Sequence, residues 1–183
     1  MLQIDFDSDS LFELSKGQVV ELPRMGAYET AIASSLMYSI EEYFMRTKPI
    51  GRIVFEMPFC LNSVEDIERR PRVAFVSYDR WPKRRRIPRT DAWNVVPELA
   101  VEFVGRRILA EAVLGKLRDY FRSGVRLAWL IYAEQQVAHI YKSFTEIEVL
   151  QRSGYLKGGD ILPGFDLSLE SLFGEELEEQ PVD

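Results

Sequence analysis

The sequence predicts an α/β domain in which a mixed sheet carries helices on its faces and gains extra antiparallel strands toward the C-terminus. Three observations predict it. Apolar residues recur at helical spacing in two runs, from Ala27 to Arg46 and from Leu109 to Phe121. Short runs rich in β-branched and aromatic residues flank them, including Arg52 to Cys60, Arg72 to Tyr78, Pro97 to Val104 and Arg126 to Tyr132. The resulting order α, β, β, β, α, β, followed by hairpins, suits a mixed sheet covered by helices. With 183 residues, 46% of them apolar and 12% aromatic, the chain can bury one sizeable core, so a single domain is expected over residues 1–183.

Taken in order, Leu11 to Leu22 reads as a short turn or helix and then a strand, with Lys16-Gly17 turning into Gln-Val-Val-Glu-Leu. Ile32, Leu36, Ile40, Tyr43 and Phe44 give the first helix its apolar stripe, and Pro49 with Gly51 marks its end. Arg52 to Cys60 and Arg72 to Tyr78 read as two strands joined by an acidic connection through Glu65, Asp66 and Glu68. A basic loop follows to about Ala92. The second helix ends at Gly124, a residue suited to a helix C-cap, and Arg126 to Tyr132 enters a strand directly from it. Two more strands are expected near 136–142 and 145–151, a turn-rich hairpin region over Gly154 to Asp160, and a short helix from Leu167 to Phe173. The Glu-Glu-Leu-Glu-Glu tail beyond it is expected to fray.

Several function classes are disfavoured by composition. No run of about eighteen apolar residues exists, and the N-terminus is acidic where a secretory signal is basic and then apolar. A cytoplasmic protein without a membrane span is expected. One cysteine, Cys60, and one histidine, His139, leave no Cys/His cluster for zinc. Any metal would rest on carboxylates, which favours magnesium, manganese or calcium. His139 shares a strand face with Val137 and Tyr141 and has no serine or cysteine motif beside it, so it reads as structural.

Pro97 to Tyr132 carries the chemistry. On a strand, Leu99, Val101 and Phe103 share one face while Ala100, Glu102 and Val104 share the other, which puts one carboxylate in an apolar row. Such a carboxylate is costly without a cation, a donor or a metal. On the following helix Lys116 falls three residues after Val113 and four before Tyr120, at the edge of the apolar stripe, from which it can lean toward the sheet. Spacing alone leaves three readings open: a structural ion pair, a carboxylate at a wet sheet end, or part of a metal-dependent site.

The formal charge of −6 hides an asymmetry. Arg69 to Arg89 holds nine basic residues against Asp79, so that segment carries +8 and the remainder −14. Tyr78 and Trp81 are interleaved with those charges, a pattern suited to holding phosphates and stacking on bases. A solvated loop, or a basic half complementing the acidic remainder in a homodimer, accounts for the same charges.

Four stretches go further. Phe-Glu-Leu-Ser-Lys-Gly-Gln-Val-Val-Glu-Leu at 12–22, Pro-Glu-Leu-Ala-Val-Glu at 97–102, the helix-to-strand passage at 116–131, and Gly-Gly-Asp-Ile-Leu-Pro-Gly-Phe-Asp-Leu-Ser-Leu-Glu-Ser-Leu-Phe at 158–173 together resemble the bacterial family of putative restriction endonucleases of the Uma-two type, within the PD-(D/E)XK nuclease superfamily. The resemblance covers about Phe12 to Phe173 and implies a restriction-endonuclease-like mixed sheet flanked by helices. It also implies an endonuclease that hydrolyses DNA phosphodiesters with Mg2+, the metal polarising the phosphodiester and helping to generate the attacking hydroxide. By motif position Glu102 would be the strand carboxylate and metal ligand, Lys116 the catalytic lysine displaced onto the helix, and Glu13 an accessory acid.

Three departures set this chain apart from the family's pattern. Where the family has Arg-Pro-Asp this chain has Arg-Pro-Arg, so Arg72 stands in place of a metal-binding aspartate; a permanent cation cannot be a ligand. Gly105-Arg106-Arg107 replaces the usual Ser-Pro-Ser, and no histidine stands near Tyr28 at the start of the first helix. The expectation is a degenerate metal site. Glu68 or Asp66 could substitute for the aspartate only through a bent connection, and Asp79 lies seven residues past Arg72. The alternative expectation is a non-catalytic nucleic-acid or protein binding module, with Arg72, Arg84, Arg85, Arg86 and Trp81 as DNA contacts and Arg72 paired to Glu102.

Overall fold

The computed structural model describes residues 11–105 and 110–174, so the Leu109 end of the second stripe, Arg106 and Arg107, and the acidic tail lie outside the described residues. The main sheet has six strands: β3 (Gly51–Phe55), β6 (Val73–Ser77), β7 (Leu99–Phe103), β8 (Leu127–Tyr132), β9 (Val137–Tyr141) and β10 (Ile147–Leu150), in the spatial order β10-β9-β8-β7-β6-β3. Only the β7–β8 pair is parallel; it needs a crossover, which α2 (Ala110–Ser123) supplies. A second sheet of order β2-β1-β5-β4 combines β1 (Leu11–Ser15), β2 (Gln18–Leu22), β4 (Phe59–Asn62) and β5 (Ile67–Arg69).

Alternation along β7 divides the core as its pattern predicts. Leu99, Val101 and Phe103 join the stripe of α1 (Ala27–Arg46) and the C-terminal segment in one cluster. Ala100 faces the other way, toward Val113, Leu117 and Tyr120 of α2 and toward Phe59, Trp81 and Trp93. The pair β11 (Tyr155–Lys157) and β12 (Asp166–Ser168) leads into α3 (Leu169–Phe173), whose first turn is capped by the Ser168 hydroxyl accepting from the Ser171 amide.

Four expectations are corrected. Leu11 to Ser15 is a strand rather than a turn or helix, because β1 pairs residue by residue with β2 across the Lys16-Gly17 turn, where both φ values are positive. Arg52 to Cys60 is not one strand: Glu56 adopts φ 46° and breaks it, sending β3 to the main sheet and β4 to the small one. The acidic connection contains β5, which pairs with both β4 and β1. The final helix is shorter than expected because Asp166 to Ser168 is drawn into pairing with Tyr155 to Lys157, the pair that also occupies part of the expected hairpin region.

Candidate functional site

Glu102 lies at the end of β7, where the second sheet and α2 converge. The central position of β1 places Glu13 there, and the last residue of β5 places Arg69. On α2, Lys116, Asp119 and Tyr120 stand at i, i+3 and i+4, the spacing that puts them on one helix face. Glu13, Arg69, Glu102 and Asp119 are all buried.

The contacts form one continuous network. Lys116 Nζ lies 3.1 Å from Glu102 Oε1 and 3.3 Å from Glu13 Oε2, so the lysine bridges the two glutamates. The Tyr120 hydroxyl donates to Glu102 Oε1 at 2.5 Å. Arg69 donates from NH1 to Glu13 Oε1 at 2.9 Å and from Nε to Asp119 Oδ2 at 3.0 Å, with NH2 also paired to Asp119 and bonded to Ser15 Oγ at 3.0 Å. The Arg70 amide donates to Glu13 Oε2 at 3.2 Å. Buried charge of this density is tolerable because each carboxylate meets a cation or a donor.

Titration behaviour follows from that packing. Burial pushes the Tyr120 phenol well above its usual range, and the Glu102 and Glu13 carboxylates push it further, so it stays a proton donor. Burial acts to lower the Arg69 pKa, but Glu13 and Asp119 outweigh it and the net shift is upward.

Arg72 stands beside this network and outside it. Its amide donates to the Val101 carbonyl at 3.0 Å, and extending the Val73–Val101 register by one residue brings it opposite Glu102. Both residues line one small cavity of about 80 Å³, together with Glu13, Lys116 and Pro23. The guanidinium, only 3% exposed, donates to Glu56 Oε1 at 2.5 Å and to the Pro23 carbonyl. The expected Arg72–Glu102 pair is therefore replaced by Arg72–Glu56. The turned backbone at Glu56, whose amide bonds the Arg72 carbonyl at 2.9 Å, brings the two together.

Glu13, Glu102 and Lys116 are brought together, the lysine lying between the two glutamates. The expected nucleic-acid contacts divide. Arg84, Arg85 and Arg86 are exposed, whereas Arg72 and Trp81 are buried. Trp81 cannot stack on a base: one face carries the Arg85 guanidinium at 3.8 Å, Trp93 packs edge-on at 5.3 Å, and its indole N–H donates to the Arg85 carbonyl at 3.1 Å. The substitute acids lie elsewhere. Glu68 is directed to Cys60, whose thiol is raised by burial and then by Glu68, and Asp79 is exposed beyond the far end of β6. Among the described residues no group of three or more His, Cys, Asp or Glu is gathered that could hold a metal ion. His139 packs against the Tyr132 ring at 4.6 Å, and burial lowers its pKa.

Sequence reasoning missed Asp119 and the binding role of Arg69. The signal for Asp119 was present, since it lies three residues after Lys116 on the same helix face. Arg69 was counted with the basic segment, and nothing in the chain marks it as turning inward until β5 is placed.

The fold superposes on the crystal structure of a putative nuclease belonging to DUF820 from Anabaena variabilis ATCC 29413 with a TM-score of 0.76, at 18% identity, over 88% of this chain and 89% of that one. The architecture is thus of a nuclease-like class, a mixed sheet with extra antiparallel strands. The family model described as Uma2, putative restriction endonuclease, matches residues 1–170, and the chain belongs to that family. Comparison with curated proteins gave no match.

Proposed function

We propose that this chain is a PD-(D/E)XK-type endonuclease domain whose metal centre is degenerate, so that the scaffold persists without magnesium-dependent hydrolysis at Glu102. The observation that carries the reading is Arg72, a buried cation that lines the same small cavity as Glu102. Mg2+ requires hard oxygen ligands in near-octahedral arrangement, most often one or two carboxylates with waters. The donor set here does not fit it. Glu13 already accepts from Arg69, Lys116 and the Arg70 amide, and Glu102 accepts from Lys116 and Tyr120. The position next to Glu102 adds positive charge where a ligand would be needed.

Titration of Mg2+ and Mn2+ into the protein by calorimetry tests this. Wild type is expected to give no saturable heat, and Arg72→Asp to gain metal binding that Glu102→Ala then removes. Wild-type binding that disappears in Glu102→Ala, accompanied by cleavage of plasmid DNA, would overturn the reading.

A second reading is supported by the exposed Lys83, Arg84, Arg85, Arg86 and Arg89, a surface on which DNA would be held without being cut. Arg52 braces it, donating to the carbonyls of Trp81 at 3.1 Å and Lys83 at 2.6 Å. Arg80 ties its base to the start of β7 and the end of α2 through the carbonyls of Val96 at 2.7 Å and Gly124 at 2.8 Å.

A further inference from the structure

A second concavity, of about 420 Å³, lies at the opposite end of β8 from the Glu102 network and on the opposite face of the sheet. Its floor is apolar, made by Leu127 and Ile140 of the main sheet with Leu150 and Ile161. Its rim is charged: Arg126, Lys142 and Lys157 against Glu148 and Asp160. Lys142 Nζ is 3.7 Å from Glu148 Oε2 and 3.9 Å from Glu146 Oε1, so its charge is shared with carboxylates. Arg126 and Lys157 are exposed and form no ion pair among the described residues.

Two further features shape the rim. Tyr155, from β11, presents its ring there with 52% of the residue exposed, a large aromatic surface beside an apolar floor. The turn at Gly158-Gly159-Asp160 closes the other side. Gly158 is pressed against Leu162, where any Cβ would collide with the Leu162 backbone and side chain, while Gly159 has φ +54° and open space where a Cβ would be. The Gly158 amide is taken by the Phe165 carbonyl at 3.1 Å, but the Gly159 and Asp160 amides donate to no backbone carbonyl among the described residues. Amides that donate to no backbone carbonyl, on the same rim as two cations outside any ion pair, are groups that suit an anionic oxygen group.

We propose that this cleft binds a small organophosphate of mononucleotide size, with the phosphate between Arg126, Lys157 and the Gly159 turn and the planar body on the Leu127–Ile140 floor beside Tyr155. The volume falls within the usual range of small-molecule sites, whose linings combine an apolar floor with a few convergent polar groups. Asp160 and Glu148 do not oppose this assignment. Glu148 is offset by Lys142, and a rim carboxylate such as Asp160 is an acceptor for sugar hydroxyls or exocyclic amines. With Lys142 taken up by Glu148 and Glu146, Arg126 and Lys157 face Asp160 alone at the rim, which favours an anion over a neutral nucleoside.

Calorimetry and amide chemical-shift mapping on the full chain test the assignment with AMP, GMP, CMP and UMP, against adenosine and inorganic phosphate alone. At least one mononucleotide is expected to bind saturably and to move the Gly159 and Lys157 amides, with adenosine and phosphate each weaker. Arg126→Ala with Lys157→Ala, both at exposed positions, is expected to weaken binding by about tenfold or more while leaving the melting temperature unchanged. Absence of saturable binding of any of the four to about 5 mM would overturn the proposal. So would binding unaffected by the double substitution, binding lost equally in Arg84→Ala with Arg85→Ala, or phosphate alone binding as well as the nucleotide.

Discussion

Tyr120 shows how one hydroxyl can hold a buried carboxylate. Its bond to Glu102 is the shortest that Glu102 makes among the described residues, and the phenol is fully buried. Replacing it by phenylalanine leaves Glu102 with Lys116 as its remaining charge partner, and a lost hydrogen bond to a charged group costs about 1.5–3 kcal/mol. Tyr120→Phe is therefore expected to lower stability by that amount near neutral pH in a denaturant titration. The pH dependence has a definite sign. The folded-state pKa lies above the unfolded value of about 10, so the unfolded chain releases its proton first and stability is lost as pH rises above that value. The variant is expected to lose less stability than wild type between about pH 9 and 11; parallel slopes would count against a buried neutral phenol. His139 has the opposite dependence. Burial lowers its folded pKa, so its contribution falls as pH drops through about 6.5, and His139→Phe is expected to flatten the acid limb of a melting-temperature profile.

Among the elements, β3 and α2 differ in how openly the sequence states their role. The i, i+3, i+4 face of α2 is written into the chain, and Glu102 on an alternating strand is equally plain. The split between β3 and β4 is less plain, because Glu56 with φ 46° breaks a run that propensity alone would continue. Position 51 limits β3 in another way: a Cβ there would collide with the Phe75 ring and the Val76 carbonyl on β6. Gly51→Ala is expected to destabilise the fold by about 1–3 kcal/mol, the usual cost of overpacking, measured by equilibrium denaturation. An unchanged midpoint would mean that β3 shifts outward without loss. Neither the β5 strand nor the inward turn of Arg69 was legible, since a three-residue strand carries too little periodicity to separate it from a polar loop.

Across the whole molecule, the charged regions occupy different ends of the main sheet. Arg72 precedes β6 and Tyr78 follows it, a separation of roughly 20 Å at about 3.3 Å per residue. The exposed arginines therefore follow the end of β6 opposite to the one at which Arg72 and Glu102 face each other. If the basic surface holds DNA, Arg84→Glu with Arg85→Glu is expected to abolish retention at low salt, and wild-type affinity to fall steeply as salt rises. Binding that is independent of salt, or unaffected by the charge reversal, would rule that surface out. Among the described residues, no helix is long and apolar enough to cross a membrane.

By itself the sequence determined the family, the α/β class, the two long helices, the faces of β7 and the presence of an arginine at position 72. These follow from local periodicity and from residue types at fixed spacing, which a linear chain displays directly. Only the tertiary structure decided the partners of the charges. Arg72 chose Glu56 over Glu102, Arg69 joined Glu13 to Asp119 instead of the basic surface, and Trp81 packed beneath Arg85 instead of facing solvent. An ion pair depends on which strands become neighbours and on which way each side chain points. Residues 50 and more positions apart, such as Arg69 and Asp119, carry no local sign of that choice.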